Sequence, residues 1–193
     1  MKTLMRLEDY IYYQLEEPED IDKFEVEGFE FFKGLGIIDY KRTFKAWLRK
    51  FPKPLFLVVV RRNKLISWVH VDEWREGVAK DGNSINILRA IETLPEYHSR
   101  KIGFRLVLLS LQRTVGYMLT KPVSAKARQF FEEIGFKDEK SCSRCPVDLS
   151  RHSGYLVLSL IDKGIFLREN GKKFLMNNNG AANTNSGRND NRT

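Results

Sequence analysis

Long apolar runs and cysteine are scarce in this chain, and each scarcity closes a class of function. The longest apolar run, Leu55 to Val60, falls far short of the roughly 20 residues that span a bilayer, which excludes a transmembrane helix. The opening Met-Lys-Thr-Leu-Met-Arg-Leu-Glu-Asp-Tyr has no apolar core of signal-peptide length, so a cytoplasmic location is expected. The only cysteines, Cys142 and Cys145, stand in a Cys-x-x-Cys arrangement. Half of a zinc knuckle has that spacing, as does a redox pair, but the first needs two more ligands and the second a helix start. His152 is near and no fourth ligand is evident, so no metal site is assigned and reduced, structural thiols are expected. A local disulfide is the alternative in an oxidising or hot setting.

What is present is charge, unevenly placed. The 193 residues suit one domain, and they carry a formal net charge of +8. Residues 1–40 hold 4 basic and 11 acidic side chains, whereas residues 41–176 hold 27 and 13. Such a split is expected either to present two surfaces to different partners or to be solvated helix faces. The last segment, 177–193, has seven asparagines and no aliphatic side chain larger than alanine. It cannot bury enough apolar surface to offset ordering, and a disordered tail beyond a single domain of residues 1–176 is expected.

Tyr10 to Leu15 has strand composition, and Pro18 opens a short acidic helix with Ile21 and Phe24 as its stripe. Phe44, Trp47, Leu48 and Phe51 recur at helical spacing between Tyr40 and Phe51 and predict one amphipathic face, stopped by Pro52 and Pro54. Leu55 to Val60 and Leu65 to Val71 predict a hairpin, and Ile85 to Leu94 a third antiparallel strand after the turn at Asp81-Gly82-Asn83. A buried helix from Ile102 to Val115, a short strand Tyr117 to Leu119, and a helix between the N-cap Ser124 and Gly135 follow. That last helix is expected to turn Ala127, Phe130, Phe131 and Ile134 inward. Tyr155 to Ile161 is predicted as the last strand.

Two stretches carry the chemistry. Thr93 to Phe104 reads Thr-Leu-Pro-Glu-Tyr-His-Ser-Arg-Lys-Ile-Gly-Phe, and Ser124 to Phe136 reads Ser-Ala-Lys-Ala-Arg-Gln-Phe-Phe-Glu-Glu-Ile-Gly-Phe. In this order, one short strand apart, they resemble the acyl-CoA half of the GNAT N-acyltransferase superfamily. The resemblance implies an α/β fold with a mixed, mainly antiparallel central sheet flanked by helices, and acetyl-CoA as co-substrate. It implies that Ile91, Glu92 and Thr93 pair with the pantetheine arm while His98, Ser99, Arg100, Lys101, Ile102, Gly103 and Phe104 form the pyrophosphate loop, aided by Ser124 and Phe131. A helix N-terminus reached through a slim loop is a natural anion receptor. Registering on Pro95-Glu96-Tyr97 puts His98 first, Lys101 at the family's first glycine and Gly103 at its last. A register starting at Arg100 needs a small residue at Arg105 and is less favoured.

The family's later helix commonly carries asparagine, alanine and tyrosine where this chain has Ser124, Ala127 and Phe131, and phenylalanine cannot donate a proton. Glu92 is the leading candidate base, then His70 or Glu73, with Tyr97 and Tyr117 as substitute acids. The implied activity is direct transfer of an acetyl group to a primary amine on a protein or small molecule. In the family architecture the acidic N-terminal helices flank the acceptor cleft and suit a cationic amine. The alternative is a GNAT-like domain without chemistry, its basic body with Trp47, Trp68 and Trp74 docking on RNA or a ribonucleoprotein, although no nucleic-acid motif is present.

Overall fold

The computed structural model describes residues 1–75, 79–142, 145, 147–150 and 152–179, with 172–179 as backbone alone. Among the described residues seven strands form one sheet in chain order: β1 (Lys2–Leu7), β2 (Tyr10–Leu15), β3 (Leu55–Arg61), β4 (Lys64–Glu73), β5 (Ile85–Thr93), β6 (Tyr117–Thr120) and β7 (Leu156–Leu158). Neighbours are antiparallel except β5 and β6, which run parallel. A parallel pair needs a crossover, and α2 (Ile102–Arg113) supplies it. The other helices are α1 (Tyr40–Leu48), α3 (Ala125–Ile134) and α4 (Leu160–Asn179). This is the mixed, mainly antiparallel sheet flanked by helices that the sequence leads one to expect.

Local chemistry explains most boundaries. The β3–β4 hairpin turns at Arg62 and Asn63, both left-handed at φ 47° and 68°, the geometry whose twist suits a two-residue link. Asp39 caps α1 by accepting from the Arg42 amide at 3.0 Å, and Ser124 caps α3 by accepting from Ala127 at 3.1 Å. Gly135 closes α3 in the left-handed region at φ 108°. Phe131 and Ile134 of α3 are buried, and Ala127 and Phe130 only partly so.

Three expectations need correction. α1 stops at Leu48, so Phe51 lies past the helix and is 88% exposed instead of completing its apolar face. The acidic segment around Pro18 is a 3-10 helix, Pro18–Lys23, that buries Ile21. The predicted final strand ends at Leu158, because the Ser159 hydroxyl accepts from the Asp162 amide at 3.0 Å and starts α4. One strand and one α-helix were not foreseen. β1 is an edge strand that buries only Met5, too little apolar alternation to announce itself, and α4 hides its helical pattern behind Gly164 and Gly171. The expected disordered tail begins inside α4 at residues 177–179, and its remainder lies outside the described residues.

The main core gathers Trp68, Tyr12, Phe44, Phe56 and the leucines of α2, and a second cluster centres on Trp74, Tyr117 and Val157. Each large side chain so buried contributes about 1.5–3 kcal/mol. Cys142 and Cys145 are free and buried in the second cluster; burial, with Cys145 beside it, pushes the Cys142 thiol up to about 11. No helix among the described residues is long and apolar enough to cross a membrane.

The charge split is used partly within the molecule. Asp9 pairs with Arg61, Glu17 with Lys53, Asp22 with Lys45 and Glu27 with Lys64. Asp20 is buried and binds the chain's N-terminal ammonium at 2.8 Å, Lys23 at 3.0 Å and the amides of Glu16 and Glu17. Burial works against its ionised form, yet these partners hold its carboxyl far below the usual range.

Candidate functional site

β6 is four residues long, and Pro122, which cannot donate to a ladder, follows closely. The β5–β6 pairing therefore ends at Leu88 opposite Thr120, with the Thr120 hydroxyl donating to the Leu88 carbonyl at 3.2 Å. β5 continues alone on that side while β4 still pairs with it as far as Thr93. The Leu94 amide donates to Ile66, and the Glu92 carbonyl accepts from the Ser67 hydroxyl, so both face β4. Alternation then turns the backbone of Ile91 and Thr93 to the open edge. A cavity of about 980 Å³ occupies the gap between this edge, the start of α2 and the face of α3.

Beyond Thr93 the chain makes a 3-10 turn, Pro95–Arg100, and enters α2 through Lys101 at φ 57°. A left-handed residue at this point is where glycine is least strained, and Lys101 occupies it. It lines the cavity with no ion pair among the described residues. Next come the amides of Ile102, Gly103 and Phe104, the first turn of a twelve-residue helix, with no side-chain cap. The Ile102 side chain is fully buried, leaving its backbone alone for any ligand. Gly103 faces the strand edge: a Cβ there would lie 3.5 Å from the Thr93 hydroxyl and 3.8 Å from Ile91 Cδ1.

The remaining loop residues divide. His98 Nε2 is 2.8 Å from the Thr93 carbonyl and fastens the loop to the strand end; His98 and Ser99 line the cavity. Arg100 turns away and donates to the Tyr10 hydroxyl at 3.0 Å. Ser124 and Phe131 line the opposite wall.

Glu92 sits on the other face of β5, buried but bordering the cavity. Its Oε1 accepts from the amides of Phe31 at 2.9 Å and Glu30 at 3.2 Å, and its Oε2 from the Tyr40 hydroxyl at 2.8 Å. Burial pushes the carboxyl above its usual range although these donors pull it down; burial and the adjacent carboxylate also raise Tyr40. Tyr40 and the Glu30–Phe32 segment were not foreseen. The cap Asp39 marks where α1 begins, but no pattern announces a contact across 52 positions.

His70 is buried under Trp47, ring centroids 4.3 Å apart, and lines neither this cavity nor the smaller one below. Burial lowers its basicity, and its Nε2 lies 2.9 Å from Asp72. Tyr117 is bound to Asp81, and Tyr97 packs edge-on against Tyr10; neither borders the cleft. The expected carboxylate wall is not there either. Of the acidic residues before position 41 only Glu30 lines the cleft, paired with Lys33 at 2.6 Å, because four others are neutralised by body cations.

A second cavity of about 430 Å³ lies on the α1 side of the sheet and holds Glu73. Arg89 lines both cavities. β4–β5 pairing steps from His70 opposite Ala90 to Val71 opposite Leu88, so Arg89 is a bulge residue at their junction.

No family model and no curated protein matches the sequence. Solved structures match in shape. A KacTA–DNA complex superposes with a TM-score of 0.62 at 11% identity, covering 83% of this chain and 99% of that one. A tyrosine-to-phenylalanine mutant of the AtaT toxin, bound to the C-terminus of the antitoxin AtaR and acetyl-CoA, gives 0.57 at 11%, covering 83% and 99%. With the sheet order, these likenesses show the GNAT fold.

Proposed function

We propose that the chain is an N-acetyltransferase that moves an acetyl group from acetyl-CoA to a primary amine by direct attack. The observation that carries this reading is the cleft where β5 leaves β6, bounded by an unpaired strand edge and, at one end, by the open amides of α2 beside Lys101. The edge of Ile91 and Thr93 suits a pantetheine amide chain, and the first turn of α2 suits a pyrophosphate. An edge amide aimed at the thioester oxygen would stabilise the charge that develops there.

In the transfer, the amine lone pair attacks the thioester carbon, a C–N bond forms, the C–S bond breaks and the thiolate leaves to take a proton. Glu92 is the proton acceptor in this reading, with Tyr40 and the Glu30–Phe31 amides holding its carboxylate at the cleft.

The second reading, a non-catalytic binding module that docks on RNA, is favoured by Phe131, which offers no hydroxyl, and by the lack of any tyrosine lining the cleft among the described residues. One experiment separates the two. Acetyl-CoA at about 100 times its Kd should stabilise an N-acetyltransferase by about 2.7 kcal/mol and raise its melting temperature. No shift, together with salt-dependent RNA binding, would sink the enzyme and favour the module.

A further inference from the structure

The smaller cavity is a built site with no assigned role. Its inner wall is Trp74, stacked on Tyr155 at 5.9 Å and met edge-on by His152 at 4.7 Å. Its rim carries Phe51, with the Arg75 guanidinium 5.3 Å over the ring. Deeper in, Asp72 lies 2.9 Å from His70 Nε2, 3.3 Å from Arg89 and 3.8 Å from Lys50. Asp72 is thereby shared between two cations, and despite burial the His70 hydrogen bond first, then Lys50 and Arg89, keep its carboxyl below the usual range.

Position in the fold gives the cavity a direction. Gly103 approaches β5 from the face of Ile91 and Thr93, whereas Glu92 bonds Tyr40 and His70 stacks on Trp47 on the α1 face. The smaller cavity is on this α1 face and meets the cleft at Arg89. An acceptor held there would reach the cleft from the side opposite α2, at Arg89.

Charge gives it a preference. Lys50, Arg75 and Arg89 outnumber Asp72 and Glu73 along its walls. Lys50 and Arg89 are committed to Asp72, while Arg75 has no ion pair among the described residues. A guanidinium resting its face on an aromatic ring keeps its N–H edge for a carboxylate or phosphate. A polyamine would meet surplus positive charge along these walls.

We propose that this cavity is the acceptor pocket and selects an amine that also bears a flat apolar group and an anionic group, with Arg75 as the anion anchor. The assignment rests on the acetyltransferase reading and narrows it to this acceptor class.

The test uses the full chain with acetyl-CoA and four amines: phenylalanine, tyramine phosphate, phenethylamine and spermidine. One of the first two should exceed both others in kcat/KM by about tenfold or more, the effect of one well-placed charge contact. Which of them leads tells a carboxylate anchor from a phosphate anchor; spermidine or phenethylamine equal to the best would overturn the proposal. Arg75→Ala should raise KM for the anionic acceptor about tenfold and leave KM for acetyl-CoA unchanged. An unmoved acceptor KM also overturns it. Should calorimetry show no acetyl-CoA binding, the acetyltransferase reading fails on its own. Titration of the two anionic amines against tryptophan fluorescence, with Trp74→Phe removing the signal, then decides the pocket: binding lost in Arg75→Ala upholds it, and no binding overturns it.

Discussion

The two cavities that meet at Arg89 are built from different materials. The larger uses main chain: a strand edge left free when β6 stops, three helix-end amides and a glycine that keeps the approach slim. The smaller uses side chains drawn from α1's exit, β4, β5 and the segment before β7. Backbone sites depend on where elements begin and end, so they tolerate wide change of sequence. Side-chain sites depend on each residue, so they can set what a particular chain accepts.

The largest expected effect tests the backbone-built half. Gly103→Trp would fill the space in front of Ile91 and Thr93, and acetyl-CoA affinity should fall at least about 100-fold, about 2.7 kcal/mol. Gly103→Ala should bind nearly as well, since its Cβ meets neighbours at ordinary distances of 3.5 and 3.8 Å. Calorimetry with both variants checks the contrast. Full binding by Gly103→Trp would move the co-substrate out of this cleft and erase the distinction between the cavities.

The same distinction decides what could be seen in the sequence. The resemblance pointed to Thr93–Phe104 and Ser124–Phe136, and residues of both stretches line the larger cleft at element ends that a cap, glycines and a proline mark. The hairpin at Arg62-Asn63 and the cap at Ser124 were legible for the same reason. The smaller cavity was not, because Lys50, Asp72, Arg89 and Tyr155 have no shared period and meet only after β4 and β5 pair. Tyr40 escaped notice likewise, while α4 escaped because its glycines interrupt a pattern that tertiary packing on α2 restores, through Phe104 and Phe166 at 5.3 Å. The acidic wall failed for an electrostatic reason: composition counts charges but does not say that Asp22 and Glu17 are spent on Lys45 and Lys53.

Within the larger cleft, Glu92→Gln should lower kcat by about 10²-fold, the lower range for loss of a general base. Burial raises the Glu92 carboxyl above its ordinary 4.5, so wild-type activity should climb with pH through a limb lying above that value. The variant should lose the limb. The sign for stability runs the other way. A folded-state value that is raised means the native protein keeps this proton longer, so the group's contribution is full at low pH and lost as pH rises through the raised value. A pH–rate profile that keeps its limb in Glu92→Gln would assign the proton to another group and leave Glu92 as an anchor for the Glu30–Phe31 amides.

The smallest effect is expected at Lys101, where backbone and side chain pull in opposite directions. Its left-handed conformation, φ 57° and ψ 20°, costs a lysine roughly 1 kcal/mol relative to glycine. Lys101→Gly should recover part of that, offset by the greater freedom of glycine in the unfolded chain, and leave the melting temperature unchanged or slightly raised. The same change removes a cation from the mouth of α2, where an exposed pairing with a phosphate is of the order of a surface ion pair, about 0.2–1 kcal/mol. Acetyl-CoA affinity should therefore drop about two- to fivefold, and the loss should shrink as salt is added. Unchanged affinity at low salt would mean that the helix amides hold the anion alone, making the larger cleft a purely backbone site. A loss above about tenfold would mean that Lys101 grips the phosphate directly, and the contrast between the two cavities would be one of degree.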